Sequence, residues 1–377
     1  MKPGSRGLKM EEEMKNFILI WVSVFVSLTY SYIIGRRIPK GSLRFLFLVP
    51  VLCLFLFLPL NLSSPFLVGI TAFFITFLCI FKLLLFAFDQ GPLSLTNPTM
   101  SFLCFIFLAS LPITIKQDRI NKQSKSPNLK PKSPLNYAIK AALFALVIRV
   151  YDYRHDYIHP KLVHIVHCVN VYLILELLFA MVAYLAKALV GLELEDQFNE
   201  PYLSTSLQDF WSRRWNISGA SILRSTVYEP TQRIIAATVL GRRWVGLSSL
   251  TAVLATFLVS GLMHELIYFY LGRTQPTWEI TWYHVLHGFC LAAEVAVKKV
   301  LAGRWQLHRV LSGPLTIGFV LVTTYWLFFP QLLRFGSFDR TIEERAALIE
   351  FVKQVIIRNF GQGFRESADT SSGIDSD

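Results

Sequence analysis

Repeated apolar runs, each close to the thickness of a bilayer, constrain this chain more than any other feature. A helix needs about 20 apolar residues to cross a hydrocarbon core of about 30 Å. Runs of this kind lie at positions 17–34, 43–60, 65–88, 99–115, 135–150, 163–190, 234–271, 281–302 and 311–333. The run 234–271 is too long for one span. The pattern predicts an all-α fold, a multi-span transmembrane helical bundle of about eight or nine helices.

The composition agrees with a membrane protein. Of the 377 residues, 53% are hydrophobic and only 16% are charged, whereas soluble domains carry about 25% charged residues. The formal net charge is +12. In a chain with these runs, we assign the excess of Lys and Arg to membrane flanks and cytosolic loops, where membrane lipids are the partners. No basic stripe joins a binding motif, so we expect no nucleic-acid partner.

The chain divides into three regions by composition. Residues 1–16 form a short polar N-terminus, 17–335 a multi-span membrane domain, and 336–377 a polar C-terminal tail that we expect to be partly disordered. The first apolar run ends in Gly35-Arg36-Arg37 and lacks a small-residue cleavage pattern. We therefore expect this run to be a retained first span.

Two basic loops raise a question of topology. The loop 36–44 and the loop 116–132 are both rich in Lys and Arg, which predicts that both are cytosolic. Three apolar runs separate them, and three crossings would place them on opposite sides. One run should therefore not span. We expect the run 43–60, which Pro50 and Pro59 interrupt, or one of its neighbours to be re-entrant.

A polar and aromatic stretch, Ser206–Asn216, interrupts the apolar pattern with the sequence S-L-Q-D-F-W-S-R-R-W-N. We call it the tryptophan segment. Its charge density excludes a membrane crossing, and it is too aromatic for a solvated loop. We expect it to dock at the membrane surface or to enter a protein-lined cavity. In a helix, Asp209 would pair with Arg213, and Trp211 with Trp215.

The sequence S-G-L-M-H-E-L-I-Y-F-Y places His264 and Glu265 inside an apolar run. An ionisable pair in a membrane helix is a functional candidate, although a histidine at a helix end could also reach the interface. Gly261, three residues earlier, would allow a neighbouring group to approach closely. A histidine in apolar surroundings suits a neutral general base, and the amide of Asn216 could bind a developing oxyanion. Together they suit acyl transfer to a hydroxyl without a metal.

Two other classes of protein have to be weighed. Three histidine pairs have metal-ligand spacing: His155 with His159, His164 with His167, and His284 with His287. Di-iron membrane hydroxylases and desaturases use such boxes with adjacent histidines, but Cys168 and Gly288 stand at those places. We therefore expect no metal site, and expect His284 and His287 to line a cavity or to pack. A lipid or sterol transporter would show matched halves with broken helices, which the sequence does not show.

The tryptophan segment and S-G-L-M-H-E, about 50 residues further on, closely resemble the plant wax synthase-like branch of the membrane-bound O-acyltransferases. The resemblance covers most of the chain. It implies that His264 is the catalytic histidine and Asn216 the second signature polar residue. It also implies transfer of a fatty acyl group from acyl-CoA to a long-chain alcohol or sterol, in the endoplasmic reticulum membrane, with acyl-CoA as co-substrate and no further cofactor.

Five further side chains are candidates for substrate binding. We expect Trp211 and Trp215 to shape an entrance at the membrane surface. Arg213 and Arg214 could bind the phosphates of CoA or lipid headgroups, and Glu265 neighbours the histidine. The apolar residues Leu262, Met263, Leu266 and Ile267 around His264 predict a lipophilic acceptor. The sequence leaves open which alcohol is used and which oligomer forms.

Overall fold

A computed structural model describes residues 3–94, 100–111, 133–152, 160–191, 196–238, 245–301 and 307–336, together with residues 340 and 344. Throughout these residues the regular structure is helical and no strand occurs. The predicted all-α class is therefore confirmed.

The principal helices are α1 (Pro3–Arg37), α2 (Ser42–Phe57), α3 (Pro65–Ala87), α4 (Phe102–Ser110), α5 (Pro134–Asp152), α6 (Pro160–Val190), α7 (217–238), α8 (Val245–Gly272), α9 (Glu279–Leu301) and α10 (Arg309–Arg334). A 3₁₀ turn, Leu58–Asn61, extends α2. Three of the helices contain π-helical stretches, at Ala72–Cys79, Arg224–Tyr228 and Thr324–Phe328.

Seven helices of the described chain are long and apolar enough to cross a membrane: α1, α2 with its 3₁₀ turn, α3, α6, α8, α9 and α10. This confirms a multi-pass membrane protein, with a count close to the predicted eight or nine. In α3, 78% of the most apolar window is buried, against 11% in α10. Therefore α3 forms the centre of the bundle, and α10 lies at its periphery.

The long run 234–271 is divided as its length predicts. Its beginning belongs to the end of α7, and its remainder belongs to α8, which starts at Val245. The run therefore supplies one candidate span rather than two.

The sequence predicts that the run 43–60 or one of its neighbours does not cross the membrane, and this stays a prediction. By length, the helix among the described apolar runs that is too short to cross is α4. Pro50 lies inside α2, and the helix continues through it. In contrast, α4 has nine residues, about 13 Å at 1.5 Å per residue, which is less than half of a hydrocarbon core. The ammonium group of Lys82 donates to the carbonyls of Leu108 and Leu111, each at 2.5 Å, so that α4 can end inside the bundle.

The contacts between helix ends define two ends of the bundle. At one, which we call the basic end, Gly41 N–H donates to Ala87 O at 2.9 Å, and Arg44 donates to the carbonyls of Ile38 and Phe86. At the opposite end, Arg273 after α8 donates to the carbonyls that close α2. Because α9 starts at that opposite end, its last turn lies at the basic end.

A labelling experiment tests this arrangement. Cysteines introduced at Lys40 and Ser133, in a background without native cysteines, should react with a membrane-impermeant thiol reagent from the same side, because α4 is too short to reverse the chain. A cysteine at Gln275, in the exposed loop at the opposite end, is the matched control and should react from the other side. If Ser133→Cys and Gln275→Cys reacted from the same side of the membrane, α4 would have to cross it, which would contradict the inference that α4 is too short to cross. The loop 116–132 itself lies outside the described residues.

Candidate active site

A cavity of about 1340 Å³ lies between α3, the tryptophan segment and the helices α5 to α10. Four of the predicted site residues line it: Trp211, Trp215, Asn216 and His264. Among the described lining residues, the other three candidates, Arg213, Arg214 and Glu265, do not appear. The structure thus brings the two predicted catalytic residues to one cavity, although they stand on separate elements.

The tryptophan segment is a short helix that enters the bundle from the basic end. Ser206 Oγ accepts the N–H of Asp209 at 3.1 Å and caps the first turn. The carboxylate of Glu294, near the end of α9, accepts the N–H of Leu207 at 2.8 Å. The helix then widens into a π-helical turn, Phe210–Arg214. The segment does dip into a protein-lined cavity, one of the two locations that its composition predicts.

The π-helical turn changes the ion pair that the sequence predicts. Asp209 pairs with Arg214 at 2.7 Å, rather than with Arg213, because a π-helix brings residues five apart together. The same guanidinium donates to the carbonyls of Asn199 and Glu200. Arg213 is exposed. Arg214 is thus engaged in holding the segment, whereas the binding of phosphate by Arg213 stays a prediction.

The two tryptophans do not pair with each other, and each packs against the ring of Phe210 instead. Phe210 meets Trp211 edge-on at 5.0 Å and stacks on Trp215 at 5.5 Å. The indole N–H of Trp211 donates to Nδ1 of His287 at 3.1 Å. Nε2 of His287 therefore carries the proton and donates to the hydroxyl of Thr323 at 2.9 Å. Trp211 lies among histidines inside the bundle, not at a surface entrance as its sequence context predicts.

Asn216 closes the tryptophan segment and starts α7. Its backbone is left-handed, with φ 43° and ψ 63°, and its Oδ1 accepts the N–H of Gly219 at 3.1 Å. Gln197 accepts the N–H of Ile217 through its carbonyl and that of Ser218 through its side chain. With the first N–H groups of α7 bound, the side-chain NH₂ of Asn216 is the donor that can serve a ligand in the cavity.

His264 has its tautomer fixed by the helix that carries it. Nδ1 lies 2.7 Å from the carbonyl of Ser260, and since a carbonyl only accepts, Nδ1 holds the proton. Nε2 then has the free lone pair. The nearest ring is that of His284, at 4.4 Å between centroids, followed by Phe77 at 6.2 Å and Phe328 at 6.4 Å. This is the arrangement of a neutral imidazole ready to accept a proton.

The apolar wall beside His264 comes from other elements than predicted. Of the four flanking residues, Ile267 lines the cavity, whereas Leu262 is exposed and Met263 packs against a separate apolar cluster. Neighbours in a helix point about 100° apart and cannot all face one space. The wall is formed mainly by aromatic and aliphatic residues of several helices, including Phe73, Phe77, Phe179, Phe257, Leu291 and Phe328.

Glu265 is buried and faces the start of the next helix. Its carboxylate accepts the N–H of Trp278 at 3.2 Å and both the N–H and the hydroxyl of Thr281, at 3.4 and 3.0 Å. This caps the N-terminus of α9, where a negative charge is favourable. The side chain thereby holds α9 against α8, and a contact of Glu265 with substrate stays a prediction.

The histidines of α9 are buried on one face, as the spacing allows. His284 lines the cavity and is 2% exposed, and His287 is 0% exposed. Within the described part of the chain, no three His, Cys, Asp or Glu side chains gather as metal ligands. His155, His159 and the side chain of His164 lie outside it. The expectation of no metal site therefore stays a prediction.

The contact between His284 and His264 was not predicted, and the glycine at position 261 is the sequence signal that could have indicated it.

Replacement of Arg214 should destabilise the protein. Arg214→Ala removes the partner of a largely buried carboxylate and the donor to two carbonyls, which we expect to cost roughly 1–3 kcal/mol. Arg213→Ala, an adjacent exposed arginine, is the matched control and should leave stability unchanged. The midpoint of thermal unfolding in detergent measures both. Equal midpoints for the two variants would show that the Arg214 contacts do not hold the segment.

The comparisons with known proteins agree with this site. Residues 194–290, which include both Asn216 and His264, match the model of the membrane bound O-acyl transferase family. The chain is 42% identical to a long-chain-alcohol O-fatty-acyltransferase of Simmondsia chinensis, over 94% of this chain and 100% of that protein. It is 41% identical to acyl-CoA–sterol O-acyltransferase 1 of Arabidopsis thaliana, over 91% and 97% of the two chains. It is 43% identical to the probable long-chain-alcohol O-fatty-acyltransferase 1 of the same plant, over 91% and 98%. By these relationships over nearly its whole length, the chain belongs to the membrane-bound O-acyltransferase family and is an acyltransferase.

Proposed function

We propose that this protein transfers a fatty acyl group from acyl-CoA to a lipophilic alcohol, a long-chain alcohol or a sterol, in the endoplasmic reticulum membrane. The observation that carries the proposal is the tautomer of His264, whose basic nitrogen is free beside an apolar cavity that Asn216 also lines. The relatives whose names specify long-chain alcohols and a sterol support this class of acceptor.

His264 acts as the general base. Its Nε2 takes the proton of the alcohol hydroxyl, and the oxygen attacks the thioester carbonyl. The C–S bond breaks as the ester forms, and the proton passes from the imidazolium to the CoA thiolate. Base and acid are the same ring, so the proposed step needs acyl-CoA as co-substrate and no metal or other cofactor.

Asn216 acts as the hydrogen-bond donor. Its oxygen is used in capping α7, so the NH₂ group is the end that can face the thioester carbonyl. A neutral donor fixed in this way stabilises the negative charge that develops on the carbonyl oxygen. The same interaction that starts α7 thus orients the amide.

The cavity has a polar rim that suits CoA. Its lining includes Gln208, Arg224 and Lys299, which are exposed, and Lys299 lies in the last turn of α9 at the basic end. The positive charges match the phosphates of CoA, and basic ends of membrane proteins face the cytosol, where acyl-CoA is dissolved. The acyl chain and the alcohol then occupy the aromatic and aliphatic interior.

Ester formation by microsomes that contain the protein tests this function. With labelled acyl-CoA, hexadecanol or a plant sterol should be esterified, while glycerol should remain nearly unchanged, because the walls near His264 are apolar. His264→Ala should lower the rate about 100-fold or more through loss of the base, with normal accumulation of the protein. A preference for diacylglycerol or for water as acceptor would refute the proposed acceptor class, and near-normal turnover of His264→Ala would refute the base.

A substitution at Gly219 tests the role of Asn216 without replacing Asn216 itself. In Gly219→Ala, the added Cβ would lie 2.5 Å from Nδ2 of Asn216 and 2.8 Å from its Cγ, so the amide has to move. We expect kcat to fall by about 10- to 100-fold, since misplacement of a catalytic group by about 1 Å has effects of this size. Gly318→Ala, where no described atom lies within 4 Å, is the control in another helix. Equal kcat values for both variants would exclude a catalytic role for the oriented amide.

A further inference from the structure

Two glycines let α8 and α9 approach each other at backbone distance. A Cβ on Gly261 would lie 3.1 Å from Cα of Thr281 and 3.2 Å from Cβ of His284. Gly288 lies on α9 two turns after Thr281, and a Cβ on it would lie 2.9 Å from Cβ of Phe257. Close approach at two points fixes the spacing of the helices and brings the side chain of His284 against the helix that carries His264.

Polar contacts fix the register of the same two helices. Glu265 binds the first N–H groups of α9, as described above. Nδ1 of His284 lies 2.8 Å from the carbonyl of Ile280 and therefore carries a proton, so the ring of His284 is held by its own helix. Further along α9, His287 is held between Trp211 and Thr323. The ring of His284 thus has a defined position that does not depend on a ligand.

The rings of His264 and His284 face each other. Their centroids are 4.4 Å apart and their planes differ by 33°. Both rings direct Nδ1–H to a carbonyl of their own helix, so the contact joins their faces rather than a donor and an acceptor. Other aromatic rings also lie near His284: the centroid of Trp211 is 6.3 Å away and that of Tyr283 is 5.2 Å away.

We propose that His284 is a positioning residue for the acyl transfer, which holds the imidazole of His264 at its working angle and stabilises the positive charge of that imidazole through its π face. The inference rests on the proposed function, in which His264 takes up the alcohol proton. When it does so, a cation forms 4.4 Å from a neutral aromatic ring beside a cavity with mainly apolar walls, where cation–π attraction is stronger than at an exposed site. His284 keeps its own proton on Nδ1 throughout and exchanges none.

For this role, the side chain at position 284 must have a flat aromatic face, but it does not need a ring nitrogen. An aliphatic residue of similar size could fill the same space between the helices, but it has no π face to offer a cation. A phenylalanine keeps the face and loses both nitrogens. The two substitutions therefore separate stacking from hydrogen bonding and from simple filling of space.

The experiment compares His284→Phe and His284→Leu with the wild-type protein by kcat and by KM for acyl-CoA and for the alcohol. We expect His284→Leu to lower kcat on the order of tenfold with both KM values unchanged, because the stabilised charge exists only during the reaction. His284→Phe should retain most of kcat. His167→Leu, which removes another buried histidine (2% exposed) on α6, is the matched control and should keep wild-type kcat.

Two results would overturn the inference. Wild-type kcat in His284→Leu would show that the π face is not needed, and an equal loss in His284→Phe would assign the effect to the nitrogens of His284. If His284→Leu does not accumulate, His284→Met, which is also apolar and without a ring, takes its place under the same criteria. Absence of ester formation by the wild-type protein would refute the proposed function itself, whereas ester formation with equal kcat in all variants would refute only the role of His284.

Discussion

The need to satisfy polar backbone groups away from water governs this structure. Inside a bilayer each unpaired N–H or C=O costs several kcal/mol, so every helix end within the bundle requires a partner. Lys82 supplies donors to the end of α4, Gln197 and Asn216 supply acceptors to the start of α7, and Glu265 supplies them to the start of α9. At the cavity, the same kind of contact occupies Nδ1 of His264 and Oδ1 of Asn216. It leaves Nε2 of His264 and the NH₂ group of Asn216 directed to a ligand, and these are the atoms that the proposed reaction uses.

The fold was largely predictable because hydropathy reports the environment of each residue. It indicated an all-helical membrane bundle and the approximate positions of the helices. Hydropathy did not predict the short length of α4, since the run 99–115 is apolar whether or not its helix is long enough to cross a membrane. It also drew attention to Pro50, although a proline in a membrane helix is tolerated when neighbouring groups accommodate the freed carbonyl. The length of a helix depends on where a partner such as Lys82 ends it, and that partner is distant in sequence.

The site was predictable only in part. His264 and Asn216 could be named from their chemistry and from the family resemblance, because an isolated histidine and a signature amide are unusual in such a chain. The orientation of their side chains could not be predicted, since it depends on contacts between helices that are distant in sequence. A single π-helical turn moves the ion pair of Asp209 from Arg213 to Arg214, and ordinary helical spacing does not predict it. The stack on His284 depends on how closely Gly261 lets two helices approach.

The left-handed backbone at Asn216 limits which substitutions evolution can sample at this position. Side chains other than Asn, Asp and Gly rarely adopt φ near 43°, so most replacements are penalised before their effect on catalysis is felt. Among the residues that the backbone tolerates, Gly offers no side-chain hydrogen-bonding group, and Asp would bring a negative charge toward the carbonyl that becomes negative in the proposed mechanism. Asn satisfies the conformation, the helix cap and the proposed hydrogen bond together. Variation at residue 216 should therefore be narrow in active relatives even if their substrates differ widely.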